Sequence, residues 1–279
     1  MYKRDLKTGL LFQFFVMAFA ANCFAIQRVT SIGAREAALS LATVALPGSF
    51  SHFHNQAFLT ETNNLSTSFS YRQPYFIEGY HESALTVACP TPSAVLAIGL
   101  TQSNVATYNE SNIGISIAKK LTARVSAGIL FNYFDLNLPE SGQHKGSIQV
   151  DGGVGYQHSR RLSLGFHLRN IAFTKTETFQ YELTFPLVVR GGVAYDLSDR
   201  ILLAMEAIFE EEAGCGLRLG TEFKLLNTFH IRGGISINPF QHSFGFGYIW
   251  SFCQLDFSMV HHELLGFAPM LSFSFNLKR

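Results

Sequence analysis

The chain has 279 residues and a formal net charge of +1, so no nucleic acid or other polyanion is expected as a partner. Charged residues make up 15%, against roughly 25% in ordinary globular chains, while Phe occurs 27 times and Gly 23 times. Such a composition weighs against a water-soluble surface, although a hydrophobic secreted domain stays open as an alternative.

The first element is a targeting segment. Met1 to Lys7 is basic, Leu10 to Ala21 is apolar, and Cys23-Phe24-Ala25 puts small residues where a signal peptidase needs them. A secretory signal peptide over 1–25, cleaved after Ala25, is predicted. An uncleaved anchor is the weaker alternative, because the apolar run is shorter than the ~20 residues of a helical span. A lipid-modified Cys23 is another, poorly served by Asn22 and Ala20. Beyond Ala25 no uninterrupted apolar run suits a helical span.

Residues 26–64 differ in character from the remainder of the chain. "GAREAALSLATVAL", Gly33 to Leu46, predicts one short helix stopped by Pro47-Gly48. The next stretch, "PGSFSHFHNQAFLTETNN", reads as irregular. From Leu65 onward the chain reads as strands: 65–72, 82–89, 93–102, 109–119, 122–136, 146–158, 161–171, 187–197, 200–210, 214–225, 228–237, 241–251, 253–262 and 268–277. The remaining cysteines, Cys89, Cys215 and Cys253, form neither a disulfide framework nor a zinc pattern and read as small apolar side chains on strands.

The strands alternate with period two. Phe244, Phe246, Tyr248 and Trp250 oppose Ser243, Gly245 and Gly247, and Leu271, Phe273, Phe275 and Leu277 oppose Ser272, Ser274 and Asn276. A soluble sandwich would alternate too, but its outer faces would be rich in Lys, Glu and Thr rather than Gly and Ser. Connections after even-numbered strands are tight, and those after odd-numbered strands tend to be longer, for instance "QPYFIEGYH" and "AFTKTETFQYELTF". That asymmetry suits an outer-membrane barrel with both termini on the short-turn side. The fold expected is all-β: a closed antiparallel transmembrane β-barrel of about 14 strands over 65–279, preceded by a plug segment with a short helix over 26–64. Outer-membrane lipid is then a partner.

Candidate functional residues lie on the predicted lumen face and in the plug. Arg169, Arg190, Arg218 and Arg232, with Glu206 and Glu222, suit a buried charge network or, less readily, a site for a ligand carboxylate, which the planar Arg fork matches. His52, His54 and Asn55 belong to the plug; the His-x-His spacing lacks a nearby acid or cysteine, so packing rather than metal binding is expected. No Gly-x-Ser-x-Gly element marks a nucleophile, and no enzymatic activity, cofactor or metal is predicted.

The order of parts resembles a known family. The Gly33-Ala34-Arg35 opening, the Ala-rich helix, Asn55-Gln56-Ala57 and about 14 strands, with "IRGGISINPFQHSFGFG" near the end, resemble the FadL-like outer-membrane family, nearest to its small PorV/PorQ-type members. Family members commonly carry Asn-Pro-Ala where this chain has Asn55-Gln56-Ala57, and an acidic pair where it has Pro47-Gly48-Ser49. The resemblance implies a barrel that binds or passes hydrophobic small molecules. Its alternative implication is a docking barrel whose partners are proteins of type IX secretion.

Overall fold

The structure is a computed structural model that describes residues 31–105, 108–139, 142–172, 175–177, 182–211 and 213–277. The predicted signal peptide and its cleavage site lie outside the described residues.

Fourteen strands close into one antiparallel barrel. In chain order they are β1 (Leu65–Arg72), β2 (His81–Pro90), β3 (Val95–Val105), β4 (Tyr108–Lys120), β5 (Val125–Leu138), β6 (Gln143–Gln157) and β7 (Leu162–Arg169). After a small separate hairpin, β8 (Lys175–Glu177) with β9 (Glu182–Thr184), come β10 (Val188–Ser198), β11 (Ile201–Glu210), β12 (Gly214–Lys224) and β13 (Phe229–Ile237). The last are β14 (Gln241–Trp250), β15 (Cys253–His262) and β16 (Gly266–Leu277). Each barrel strand pairs with its neighbour in the chain, and β1 pairs with β16 from Leu65↔Leu277 to Arg72↔Met270. Closure leaves the barrel no open edge, so each of its fourteen strands has a hydrogen-bonding neighbour on both sides.

The alternation resolves into an outside and an inside. Ile113, Ile115 and Ile117 on β4, and Phe244, Phe246 and Tyr248 on β14, are exposed, and Leu271, Phe273 and Phe275 continue the same surface on β16. The residues between them, Ser116, Ser243, Ser272 and Ser274 among them, are buried. Apolar side chains therefore cover the exterior, and polar ones face inward, the reverse of a water-soluble protein. Among the described residues no pair of sheets sandwiches the aromatic rings.

Three expectations need correction. The helix expected over 33–46 is only Ala34–Ala38. It ends in a left-handed cap: Ser40 has φ 52, Ser40 N–H donates to the Ala37 carbonyl at 3.0 Å, and Leu41 N–H donates to the Glu36 carbonyl at 2.9 Å. Pro47-Gly48 is not what stops it. The stretch expected to be irregular contains a helical turn at Ser51–His54 and a 3-10 helix at Gln56–Glu61. The loop asymmetry is also weaker than expected. Only the β1–β2 and β7–β10 connections are long, because pairing runs on past the expected strand ends; β5 and β6 reach 14 and 15 residues.

The N-terminal segment packs against the inward face. Leu39, Ala42, Val44, Ala45 and Leu46 form a buried cluster with Ala194, Leu202 and Ala204 of the wall, and Leu59 packs with Ala88, Ala97 and Ala118. Inward glycines mark where backbone meets wall. A Cβ on Gly165 would run into the Val44 carbonyl, and one on Gly220 would lie 2.7 Å from the Leu39 carbonyl oxygen. The glycine-rich inner face is thus a docking track for a second layer of chain.

Candidate functional site

Two buried charge clusters sit where the segment meets the strands. The first centres on Glu206 of β11, which is fully buried. Register sets Glu206 directly opposite Arg218 on β12 and one strand away from Arg190 on β10. Arg190 donates through Nε to Glu206 Oε1 at 2.7 Å and through Nη2 to Oε2 at 2.9 Å, a bidentate fork. Arg218 Nη1 donates to Glu206 Oε1 at 2.9 Å. The backbone N–H groups of Thr43 and Val44 donate to Oε2 at 3.0 and 2.9 Å. Arg190 also reaches back to the segment, donating to the His54 carbonyl at 3.0 Å and to Thr43 Oγ1 at 3.3 Å. One carboxylate therefore accepts five hydrogen bonds, and two of them come from the segment's backbone.

The second cluster centres on Glu222 of β12. Glu222 faces Arg232 of β13 in register, and Arg232 Nε donates to Glu222 Oε2 at 2.6 Å. Arg35, from the short helix, donates through Nε to the same oxygen at 2.9 Å and through Nη1 to the Pro47 carbonyl at 2.9 Å. Arg232 Nη1 continues to Asp256 of β15 at 2.7 Å. Each buried charge in the two clusters is hydrogen-bonded to an opposite charge, which is the condition for ions to persist away from water.

The plug residues hold separate positions. His52 Nδ1 shares a hydrogen bond with Ser116 Oγ at 2.7 Å, and its ring lies edge-on to Phe53. His54 Nε2 meets the Ile32 carbonyl at 2.8 Å. The two rings turn to different partners, so the His-x-His spacing forms no chelate. Burial pulls both rings down to about 4, with Arg190 adding to the effect at His54. Asn55 ties three chain segments together: its amide donates to the Val44 carbonyl at 2.6 Å and to Val154 and Phe166 carbonyls at 3.3 and 3.4 Å. Its Oδ1 accepts from Ala57 N–H at 3.1 Å and caps the 3-10 helix.

Of the six lumen charges expected from the sequence, five fall into these clusters. Arg169, half-buried at the loop-side end of β7, joins neither. Sequence reasoning missed Arg35 as a partner, although it stands in the Gly-Ala-Arg opening, and missed Asp256, which shares an inward face with Ser258. It also missed Glu36, whose carboxyl is buried against Gly33 and Gly48; burial pushes it up to about 7, partly opposed by neighbouring Arg35.

No protein-family profile and no curated protein matches this chain. Solved structures do. The chain is similar to the CymD monoaromatic hydrocarbon channel, with a TM-score of 0.67 and 14% identity, over 91% of this chain and all of that one. It is similar to the P. putida toluene transporter TodX, with a TM-score of 0.68 and 12% identity, over 90% of this chain and all of that one. A Pseudomonas aeruginosa FadL homologue gives 0.65 and 10%, over 89% of this chain and 99% of that one. At such identities the likeness is one of fold: the chain has the barrel architecture of the FadL-type hydrocarbon channels.

Proposed function

We propose that this chain is an outer-membrane β-barrel that binds or passes hydrophobic small molecules and has no catalytic role. The observation that carries the reading is the pairing of an apolar exterior on a closed cylinder with a lumen occupied by the chain's own N-terminal segment. An apolar exterior needs hydrocarbon around it. A plug in the lumen is a device for controlling passage rather than for adding to the wall. The neighbours of this fold described as hydrocarbon channels point to an apolar cargo. In this reading Arg190, Arg218, Arg232, Glu206 and Glu222 fasten the plug rather than bind a ligand carboxylate, because the glutamates and the segment's own carbonyls already accept the arginine N–H groups that face them. His52, His54 and Asn55 are plug-packing residues. The alternative, a docking barrel of PorV/PorQ type, draws no support from these likenesses.

Proteoliposomes containing the purified barrel test the reading. Labelled toluene or a labelled fatty acid should enter or be retained faster than in empty liposomes. Equal rates for both cargoes would refute passage.

A further inference from the structure

Neither buried cluster uses a set of cations on the short-turn rim. Four consecutive hairpins there, β4–β5, β6–β7, β10–β11 and β12–β13, carry Lys119, Arg124, Arg160, Arg200 and Lys224. All five are exposed, and among the described residues none makes an ion pair. Lys120 and Arg161 in the same hairpins pair with Glu61 at 3.1 Å and Asp199 at 3.5 Å, both surface contacts that water weakens. Half-buried Asp196 is a further acid at this end. The rim therefore keeps a clear positive excess although the whole chain is nearly neutral.

The opposite rim has the other sign. Among the described residues its exposed Asp, Glu, Lys and Arg side chains are Glu78, Glu211 and Glu263, all acidic. The cations are also interleaved with large apolar side chains at the same level: Leu121, Leu197, Leu226, Trp250 and Phe252 are 59%, 52%, 62%, 71% and 52% exposed. A soluble anionic partner would explain the charge but not the apolar belt. A membrane interface explains both, since aromatic and aliphatic groups sit below the headgroups and Lys or Arg reaches them.

We propose that this rim is a docking surface for anionic phospholipid headgroups in the leaflet on the short-turn side. The inference rests on the outer-membrane reading and adds a lipid preference to it. Each Lys or Arg near an anionic surface adds to the attraction, within a range set by the Debye length. Five clustered cations are enough to select among lipids and to fix the barrel's depth and orientation.

The chain's single tryptophan makes this measurable. Trp250 ends β14 on the same rim, and the N–H of its neighbour Ile249 donates to the Thr228 carbonyl in the hairpin just after Lys224. The barrel is placed in phosphatidylcholine vesicles doped with either phosphatidylglycerol or phosphatidylcholine brominated near the top of the acyl chain. Quenching of Trp250 is then compared. The proposal expects phosphatidylglycerol to quench at least about twofold more effectively, and high salt to reduce the excess. The combined Lys119→Gln, Arg124→Gln, Arg160→Gln, Arg200→Gln and Lys224→Gln variant should quench equally with both. Lys119→Arg with Lys224→Arg should keep the preference, and heat-dependent gel mobility should show every variant folded. Equal quenching in the native protein overturns the lipid preference alone. No quenching by either brominated lipid overturns the membrane reading with it.

Discussion

At the scale of single residues, Glu206 does more than any other side chain to join wall and segment. Changing it to Gln would leave Arg190, 2% exposed, and Arg218 without their counter-charge. Removing one partner of a buried pair typically costs about 3–5 kcal/mol, because the remaining charge stays desolvated. Glu206→Gln should therefore lower the thermal midpoint in detergent sharply. Lys120→Gln, which breaks an exposed pair with Glu61, should change stability by less than about 1 kcal/mol. Similar losses for both would contradict the assignment. Glu36 gives a pH signature of its own. Its carboxyl titrates near 4.5 in an unfolded chain and about 7 here, so the fold holds the neutral form. The folded state then binds more protons, and the stability that Glu36 contributes is complete below 4.5 and lost as pH rises toward 7. His52 and His54 act oppositely. Their rings stay neutral in the fold down to about 4, so stability is lost as pH falls from 6.5 toward 4. Glu36→Gln should raise the midpoint at about pH 8 relative to the native protein and change it little at about pH 5. An equal shift at both pH values would show that its charge is not the cause.

At the scale of elements, the lumen-facing glycines decide how closely the segment lies on the strands. Gly165 of β7 has the Val44 carbonyl where its Cβ would be, and the obstacle is backbone, which moves less readily than a side chain. Gly165→Ala should cost about 1–3 kcal/mol by overpacking. Gly142, in an outer hairpin, has nothing within 4 Å of its Cβ position but a φ of +65, so Ala there meets only backbone strain. Denaturation midpoints separate the cases: a loss at position 165 that remains after Val44→Ala is expected, since the obstacle is the main chain. Strands of this kind are legible in one sequence. A barrel wall has one greasy and one polar face, so period two persists along its strands, and the boundaries of the fourteen barrel strands fall within a few residues of expectation, whereas the short β8–β9 hairpin lies in a stretch read as a loop. Arg190, Arg218, Arg232, Glu206 and Glu222 could be placed on the lumen face for the same reason. The inner segment is not legible in this way. Its turns are set by what the wall offers: the chain leaves its helix at Ser40 so that the Leu41 carbonyl and the Thr43 and Val44 N–H groups can meet Arg218, Arg190 and Glu206. Arg35 finds Glu222 across 187 positions, a pairing that exists only once the barrel has closed.

At the scale of the whole molecule, the proposed passage of an apolar cargo turns on whether the segment stays in place. Wall and segment touch on several sides. Leu39 and Ser40 lie against Gly220 and Gly234, Val44 against Gly165 and Gly192, and Gln56 against Gly128. A ring of contacts at backbone distance leaves little room beside the segment at that level, so passage there requires part of it to shift. The ties to be broken are unequal. The Glu206 and Glu222 clusters are buried and multiply bonded, whereas Ser40 Oγ meets Ser243 Oγ at 2.7 Å and Ser243 Oγ donates to the Ala38 carbonyl at 2.8 Å. Neutral bonds of that kind contribute about 1 kcal/mol each and open far more readily than a buried ion cluster. The Ser40–Ser243 contact is thus the natural place to lock the segment. Ser40→Cys with Ser243→Cys, in a background where Cys89, Cys215 and Cys253 are replaced by Ala, would join segment to wall when oxidised. The expected outcome is a folded barrel with a raised midpoint and suppressed uptake of labelled toluene, with uptake restored by reductant. The replacement background alone should transport normally. Undiminished uptake in the oxidised protein would mean that cargo bypasses this level, entering or leaving through the wall without moving the segment.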